Sequence, residues 1–146
     1  MKPGQIRPIA ICVFRNKGKL LVGEHFDPTK KETFYRPLGG AIVFGERGRD
    51  CVIREIREEM AAEIKDLTYL DTIENVFTYD GKPGHEIVLV YEGNLVDSRL
   101  YEAESIRCKE NGDEFTAVWK SMKTFRVGEA SLYPEGLLES LEKKTK

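Results

Sequence analysis

The chain reads as an α/β protein of the α+β type, a mixed β-sheet sandwiched between helices. Three observations predict this. Short apolar, β-rich runs recur through most of the sequence. One long segment, residues 47–62, repeats its apolar residues with the period of a helix. A second helical pattern closes the chain, so helices can cover both faces of the sheet. With 146 residues, 40% of them hydrophobic, one domain spanning 1–146 and one sizeable core are expected, and global disorder is not.

Residues 6–14 are apolar and start the first strand. Asn16-Lys17-Gly18 marks a turn, and residues 19–22 continue as a second strand, which together predict a hairpin. Residues 27–33 are polar and hold Pro28, so they read as a loop. Residues 34–38 form a short extended piece that Gly39-Gly40 breaks. In the helix, Val52, Ile56 and Met60 recur every four residues, with Ile53 beside them. Residues 67–79 are extended, residues 80–84 turn, and residues 86–91 read as a central strand buried on both faces. Residues 97–112 are polar and predict a loop with a short helix, followed by a strand over 115–119. Residues 134–141 suit a final helix, with Pro134 in its first turn. The lysines at the C-terminus read as a solvated tail.

Composition excludes several classes. Lys+Arg 23 against Asp+Glu 25 leaves a net charge of −2, which argues against duplex nucleic acid as the main partner. A small anionic substrate stays open, because a bound metal can supply positive charge. Three widely spaced cysteines and two histidines make neither a zinc pattern nor a disulfide framework, and buried, reduced thiols fit them better. The apolar run Ile9 to Phe14 is too short for a signal-peptide core, and no segment spans a bilayer. A cytoplasmic protein with no membrane partner is therefore expected.

The chemistry gathers around residues 39–59. Glu55, Glu58 and Glu59 stand at spacings i, i+3 and i+4, which share one side of a helix. Like charges so placed repel unless a cation sits among them. They lie off the Val52/Ile56/Met60 stripe, so the helix is expected to pack through that stripe and turn its carboxylates toward a cleft. Three carboxylates with coordination positions left over suit magnesium shared with phosphate oxygens. Arg54 is placed to pair with Glu58 and to reach Glu46. By themselves, these residues also describe an ordinary solvated helix face.

The wider register decides between the two. Gly40, five residues, Glu46, seven residues, Arg54-Glu55, the aliphatic Ile56, one residue, then Glu58-Glu59 resembles the Nudix box in register. Ala61 stands where that box has Gly, Ala62 where it ends on an aliphatic, and Val43 where many members carry a glutamate. The family glycine ends the helix in a left-handed conformation.

The resemblance implies the Nudix fold and a MutT-like hydrolase. Its activity would be cleavage of a diphosphate linkage in a nucleoside diphosphate joined to another moiety. The substrate is a small nucleotide-type diphosphate such as a nucleoside triphosphate, nucleotide sugar or dinucleoside polyphosphate. Magnesium, or manganese in its place, would be held by Glu55, Glu58 and Glu59 with the Gly39 carbonyl. Glu46 and Arg54 would orient these ligands. Glu58 or Glu59 ranks first as general base, with Glu110 on a later loop behind them. Arg36, Tyr35, Phe77, Tyr79 and Tyr133, with His25 and Phe26, are candidates for base stacking or phosphate contact. Trp119 reads as core, and Glu86 as a strand residue that could face the cleft. Homodimers are common in the family. A non-catalytic nucleotide-binding or sensor domain is the alternative, against which the intact glutamate set argues. An isopentenyl-diphosphate isomerase-like enzyme shares the fold, but no segment resembles its catalytic motifs.

Overall fold

The computed structural model describes residues 4–143. The elements run β1 (Ile6–Val13), β2 (Arg15–Asn16), β3 (Lys19–Asp27), β4 (Glu32–Arg36), β5 (Leu38–Ala41), α1 (Gly48–Met60), β6 (Ile64–Tyr79) and β7 (Lys82–Leu95). A 3-10 turn (Ser98–Tyr101), β8 (Ser105–Glu110), β9 (Asp113–Ser121), α2 (Met122–Arg126), β10 (Ser131–Leu132) and α3 (Leu137–Lys143) follow. The strands divide into two sheets, ordered β5-β1-β7-β6 and β10-β4-β3-β9-β8. Both are mixed. β1 runs parallel to β7 and antiparallel to β5, and β10 runs parallel to β4 while the other pairs are antiparallel.

β1 explains how one short segment organises two layers. Ala10, Cys12 and Phe14 join a core with Val52, Ile56 and Met60 of α1. Ile9, Ile11 and Val13, one residue out of phase, join a second core with Met122 and Phe125 of α2 and Leu137 and Leu141 of α3. The period-two alternation of a strand thus feeds helices on opposite faces. Val52 and Ile56 are wholly buried, and such side chains contribute roughly 1.5–3 kcal/mol each.

Several boundaries differ from the sequence reading. β1 and β3 do not pair. β2 alone forms the hairpin with β3, and β1 leaves to lie in the other sheet beside β7. Gly39 and Gly40 do not break an extended piece; they lie inside β5 and pair with Ile11 and Ala10. The chain changes sheet at Pro37, between β4 and β5. The polar stretch 97–112 contains β8, in which Ile106 and Cys108 are buried while Ser105, Arg107 and Lys109 face solvent. That alternation is a half-buried strand, disguised by its polar composition. The last helix begins at Leu137, not at Pro134, which follows a cis peptide bond after Tyr133. α2 and β10 have no counterpart in the sequence reading.

The end of α1 is kept without a glycine. Ala61 adopts φ 52°, ψ 39°, and its N–H donates to the Arg57 carbonyl at 3.0 Å. A left-handed alanine costs about 1–2 kcal/mol, which the buried stripe of α1 offsets. Among the described residues, no helix is long and apolar enough to cross a membrane.

Candidate active site

α1 packs on β5, and that contact builds the site. The backbone of Gly39 and Gly40 lies where two glutamates of α1 converge. A Cβ on Gly40 would run into the Glu55 carboxylate. On the next turn, Glu59 Oε1 accepts the Gly39 N–H at 3.2 Å. Close approach favours glycine at both positions and requires it at Gly39. On Gly39 a Cβ would strike the Ala10 carbonyl across the sheet, which is backbone and cannot yield.

Arg54 holds the outer carboxylates. Its Nε and Nη2 donate to Glu46 Oε2 and Oε1 at 2.7 and 2.9 Å, a two-pronged pair. Its Nη1 donates to Glu55 Oε1 at 2.9 Å and stands 3.3 Å from Glu58 Oε2. A further bond from Nη2 reaches the Ala41 carbonyl at 3.2 Å, tying the helix to β5. The guanidinium beside Glu46 holds its carboxyl down at about 2. Glu46 also accepts the Val43 N–H, which closes the loop between β5 and α1. Burial, only partly offset by Arg54, pushes Glu55 up.

Glu59 differs from its neighbours. It is buried, with 4% of its surface exposed, whereas the Glu58 side chain is 59% exposed. Burial and the adjacent, hydrogen-bonded Glu110 carboxyl push Glu59 up to about 9, and Arg36 offsets this in part. Glu110 comes from the end of β8, in the other sheet. The site therefore joins the two sheets through a pair of carboxylates. The three glutamates of α1 do not form one cluster. Among the described residues, no three acidic, histidine or cysteine side chains surround one ion-sized point. Arg54 gathers Glu55 and Glu58 with Glu46.

The donor set nonetheless fits a hard divalent cation. It is all oxygen, it is anionic, and its buried member faces a second carboxylate. Glu55, Glu58, Glu59 and the Gly39 carbonyl are the groups that would hold it.

A cleft of about 450 Å³ opens beside Glu110. Arg36, Phe77, Tyr79 and Tyr133 line it, as do His25 and Glu86. Tyr35 does not face it. Its ring is buried in the second core against Phe125, with Lys120 over its face, and its hydroxyl donates to Glu24 at 3.0 Å. Neighbouring Phe34 lines the cleft instead, because alternate residues of β4 face opposite ways. Phe26 is exposed outside it. Trp119 is partly buried against the first core, its Nε1–H bonded to the Leu100 carbonyl. Arg7, Asn75, Lys30 and Lys82 also line the cleft, and sequence reasoning missed them. A buried asparagine within the mostly apolar register of β6 was the one available signal.

The mouth of the cleft is clasped. Asp27, at the end of β3, accepts the N–H groups of Thr29, Lys30 and Asp80 at 3.0–3.3 Å. Thr29 Oγ1 donates to Asp80 Oδ1 at 2.7 Å. The β3–β4 and β6–β7 turns, from different sheets, are thereby joined. Burial raises the Asp27 carboxyl, but those backbone bonds outweigh it and hold the group below the usual carboxylate range.

The family model of the NUDIX domain matches residues 5–138. The chain belongs to the Nudix hydrolase family. Among curated proteins, the NAD-capped RNA hydrolase NudC of Vibrio atlanticus (strain LGP32) is 32% identical over 65 residues, 44% of this chain and 23% of that protein. The NudC of Photobacterium profundum is 28% identical over 68 residues, 47% of this chain and 25% of that protein. The matches thus span about a quarter of these relatives' length. Among solved structures, a NUDIX hydrolase from Nitrosomonas europaea has a TM-score of 0.66 at 17% identity, covering 97% of this chain and 87% of that one. A MutT NUDIX hydrolase from Burkholderia pseudomallei has a TM-score of 0.65 at 19% identity, covering 97% and 99%. These likenesses show the Nudix fold.

Proposed function

We propose that this Nudix domain hydrolyses a diphosphate linkage in a nucleoside diphosphate joined to another moiety, with magnesium as its metal and the cytoplasm as its place. The observation that carries the reading is the convergence of Glu55 and Glu59 on the Gly39–Gly40 backbone, with Glu110 of the opposite sheet against Glu59. Such a set sits at the edge of a cleft lined by aromatic and basic side chains. A divalent cation, when bound there, neutralises phosphate oxygens and lowers the pKa of a water. Arg54 holds Glu46, Glu55 and Glu58 beside the site, and Glu55 and Glu58 turn from it toward Glu59 on loading. Arg36 lies in the cleft beside Glu59 and clamps a phosphate. Glu110, which faces Glu59 of α1 from the end of β8, accepts the proton of the attacking water, with Glu58 held back by Arg54. Phe77, Tyr79 and Tyr133 stack the nucleotide's planar groups.

The substrate class covers nucleoside triphosphates, nucleotide sugars, dinucleoside polyphosphates and, from the role named for the NudC relatives, NAD-linked ends. The test is a panel of these compounds with magnesium, read by release of nucleoside monophosphate or phosphate, and repeated after chelation. Turnover of at least one member that stops with EDTA and returns with magnesium is expected. Binding of nucleotides without turnover of any would overturn the reading in favour of a sensor domain.

A further inference from the structure

The cleft has two unlike walls. One belongs to the sheet β5-β1-β7-β6, where Arg7, Glu86 and Asn75 occupy paired positions on three neighbouring strands. Arg7 lies opposite Glu86 between β1 and β7, and Asn75 lies opposite Glu86 between β6 and β7. Residues directly opposite one another share a face, and all three line the cleft. Glu86 and Asn75 are only 6% and 7% exposed. Asn75 Nδ2 donates to Glu86 Oε1 at 3.4 Å, and Arg7 Nη1 stands 3.8 Å from Glu86 Oε2. Across the row the chemistry therefore runs donor, acceptor, acceptor, donor.

The contacts to Glu86 are long for something so buried. One of 3.4 Å is a long hydrogen bond, and one of 3.8 Å is an ion pair without a bond. An ionised carboxylate offers about four acceptor sites. No Glu86 oxygen is both sealed from solvent and without a partner, so its remaining acceptor sites face the cleft, where the donors of a ligand can take the place of water. The other wall supplies aromatic faces. Phe34 meets Tyr133 edge-on at 5.5 Å and His25 stacks on it at 5.5 Å, while Tyr79, at the end of β6 in the first sheet, meets its edge at 5.9 Å. A planar ring can lie against this wall while its edge meets the polar row.

We propose that the Asn75–Glu86–Arg7 row reads the edge of a guanine base, which makes the preferred substrate a guanine nucleotide. Around that edge guanine presents O6, N1–H, N2–H and N3, which is acceptor, donor, donor, acceptor. It complements the row at all four places: O6 accepts a hydrogen bond from the Asn75 amide, N1–H and N2–H meet the two oxygens of Glu86, and N3 faces Arg7. Adenine sets its amine against Asn75 and the N1 lone pair against the carboxylate. Cytosine places two acceptors before it. Uracil satisfies one oxygen and opposes the other. A site built to bind donors rejects a ligand that lacks them, because its buried polar groups are left unpaired.

The inference rests on the hydrolase reading for the word substrate, but binding tests it separately. Calorimetry with GDP, ADP, CDP, UDP and inosine diphosphate, in magnesium, reads the preference of the wild-type protein. GDP is expected to bind about 10- to 100-fold tighter than ADP or CDP. Inosine diphosphate, which lacks the N2 amine, falls between. In Glu86→Gln one acceptor becomes a donor, and the GDP-to-ADP ratio collapses toward one. Equal affinities across the wild-type panel would overturn the proposal. So would an unchanged GDP preference in a Glu86→Gln variant that melts cooperatively. Guanine-selective binding with no hydrolysis of any nucleotide would leave this inference standing and remove the hydrolase reading instead.

Discussion

Two carboxylate environments meet on α1. On the outer side, Glu46, Glu55 and Glu58 share the Arg54 guanidinium. On the inner side, Glu59 is buried against Glu110, and only part of the resulting repulsion is relieved by Arg36. The outer set has its counter-charge built in, which fixes its geometry. The inner pair has only the partial compensation of Arg36. A proton or a hard cation would supply the rest, and on the proposed reading that difference separates the two sets.

The largest effect is expected where the inner pair is touched. Glu59→Gln removes the carboxyl that can give up its proton to a cation while keeping an oxygen for the Gly39 N–H. Magnesium-dependent turnover should fall by about 10²- to 10⁴-fold. The melting temperature should hold. Steady-state kinetics and a thermal melt check both. An unchanged kcat would break the comparison.

Arg54→Ala should act through the outer set. It frees three carboxylates, cuts the bond to the Ala41 carbonyl, and lowers metal affinity by about 10- to 100-fold. It should also cost about 1–3 kcal/mol of stability, measurable in urea.

The two glycines sharpen the same contrast. A methyl at Gly40 meets only the movable end of Glu55, so Gly40→Ala should fold normally and lose about tenfold in metal affinity. A methyl at Gly39 meets the Ala10 backbone. Gly39→Ala should therefore lose about 1–3 kcal/mol of stability by forcing the strand apart. Equal stability losses in the two variants would contradict the assigned geometry.

The smallest effect lies in acid. Glu46 is held down at about 2 from an ordinary 4.5. A depressed carboxyl contributes stability that is complete above its unfolded value and is lost as pH falls through the folded one. The stability gap between wild type and Glu46→Gln should be full above about pH 5 and close as pH approaches 2. Urea midpoints across that range check the sign.

What the sequence disclosed follows from how local each feature is. α1 and its glutamates were legible because helix period and box spacing lie within twenty consecutive positions. The departure of β1 from β3 was not, because the turn at Lys17-Gly18 looks like a hairpin and the partner β7 is far along the chain. β8 was hidden by charged residues on its open face, although Ile106 and Cys108 carried the two-residue alternation. At β4 a single step decides the outcome. Tyr35 was expected in the cleft, and Phe34 is there, because one position along a strand reverses the face. The Glu59–Glu110 contact joins α1 to a strand in the other sheet, a pairing that only the assembled fold displays.

The central claim is that Glu59 is a ligand of the cation, with the Glu110 carboxyl beside it adding to the negative charge there. Titration of the protein with Mn²⁺, followed by electron paramagnetic resonance of the free ion, tests it without any substrate. Wild type should bind Mn²⁺ in competition with Mg²⁺, and Glu59→Gln and Glu110→Gln should each weaken that binding at least about tenfold. Equal Mn²⁺ affinity in all three folded proteins would contradict it.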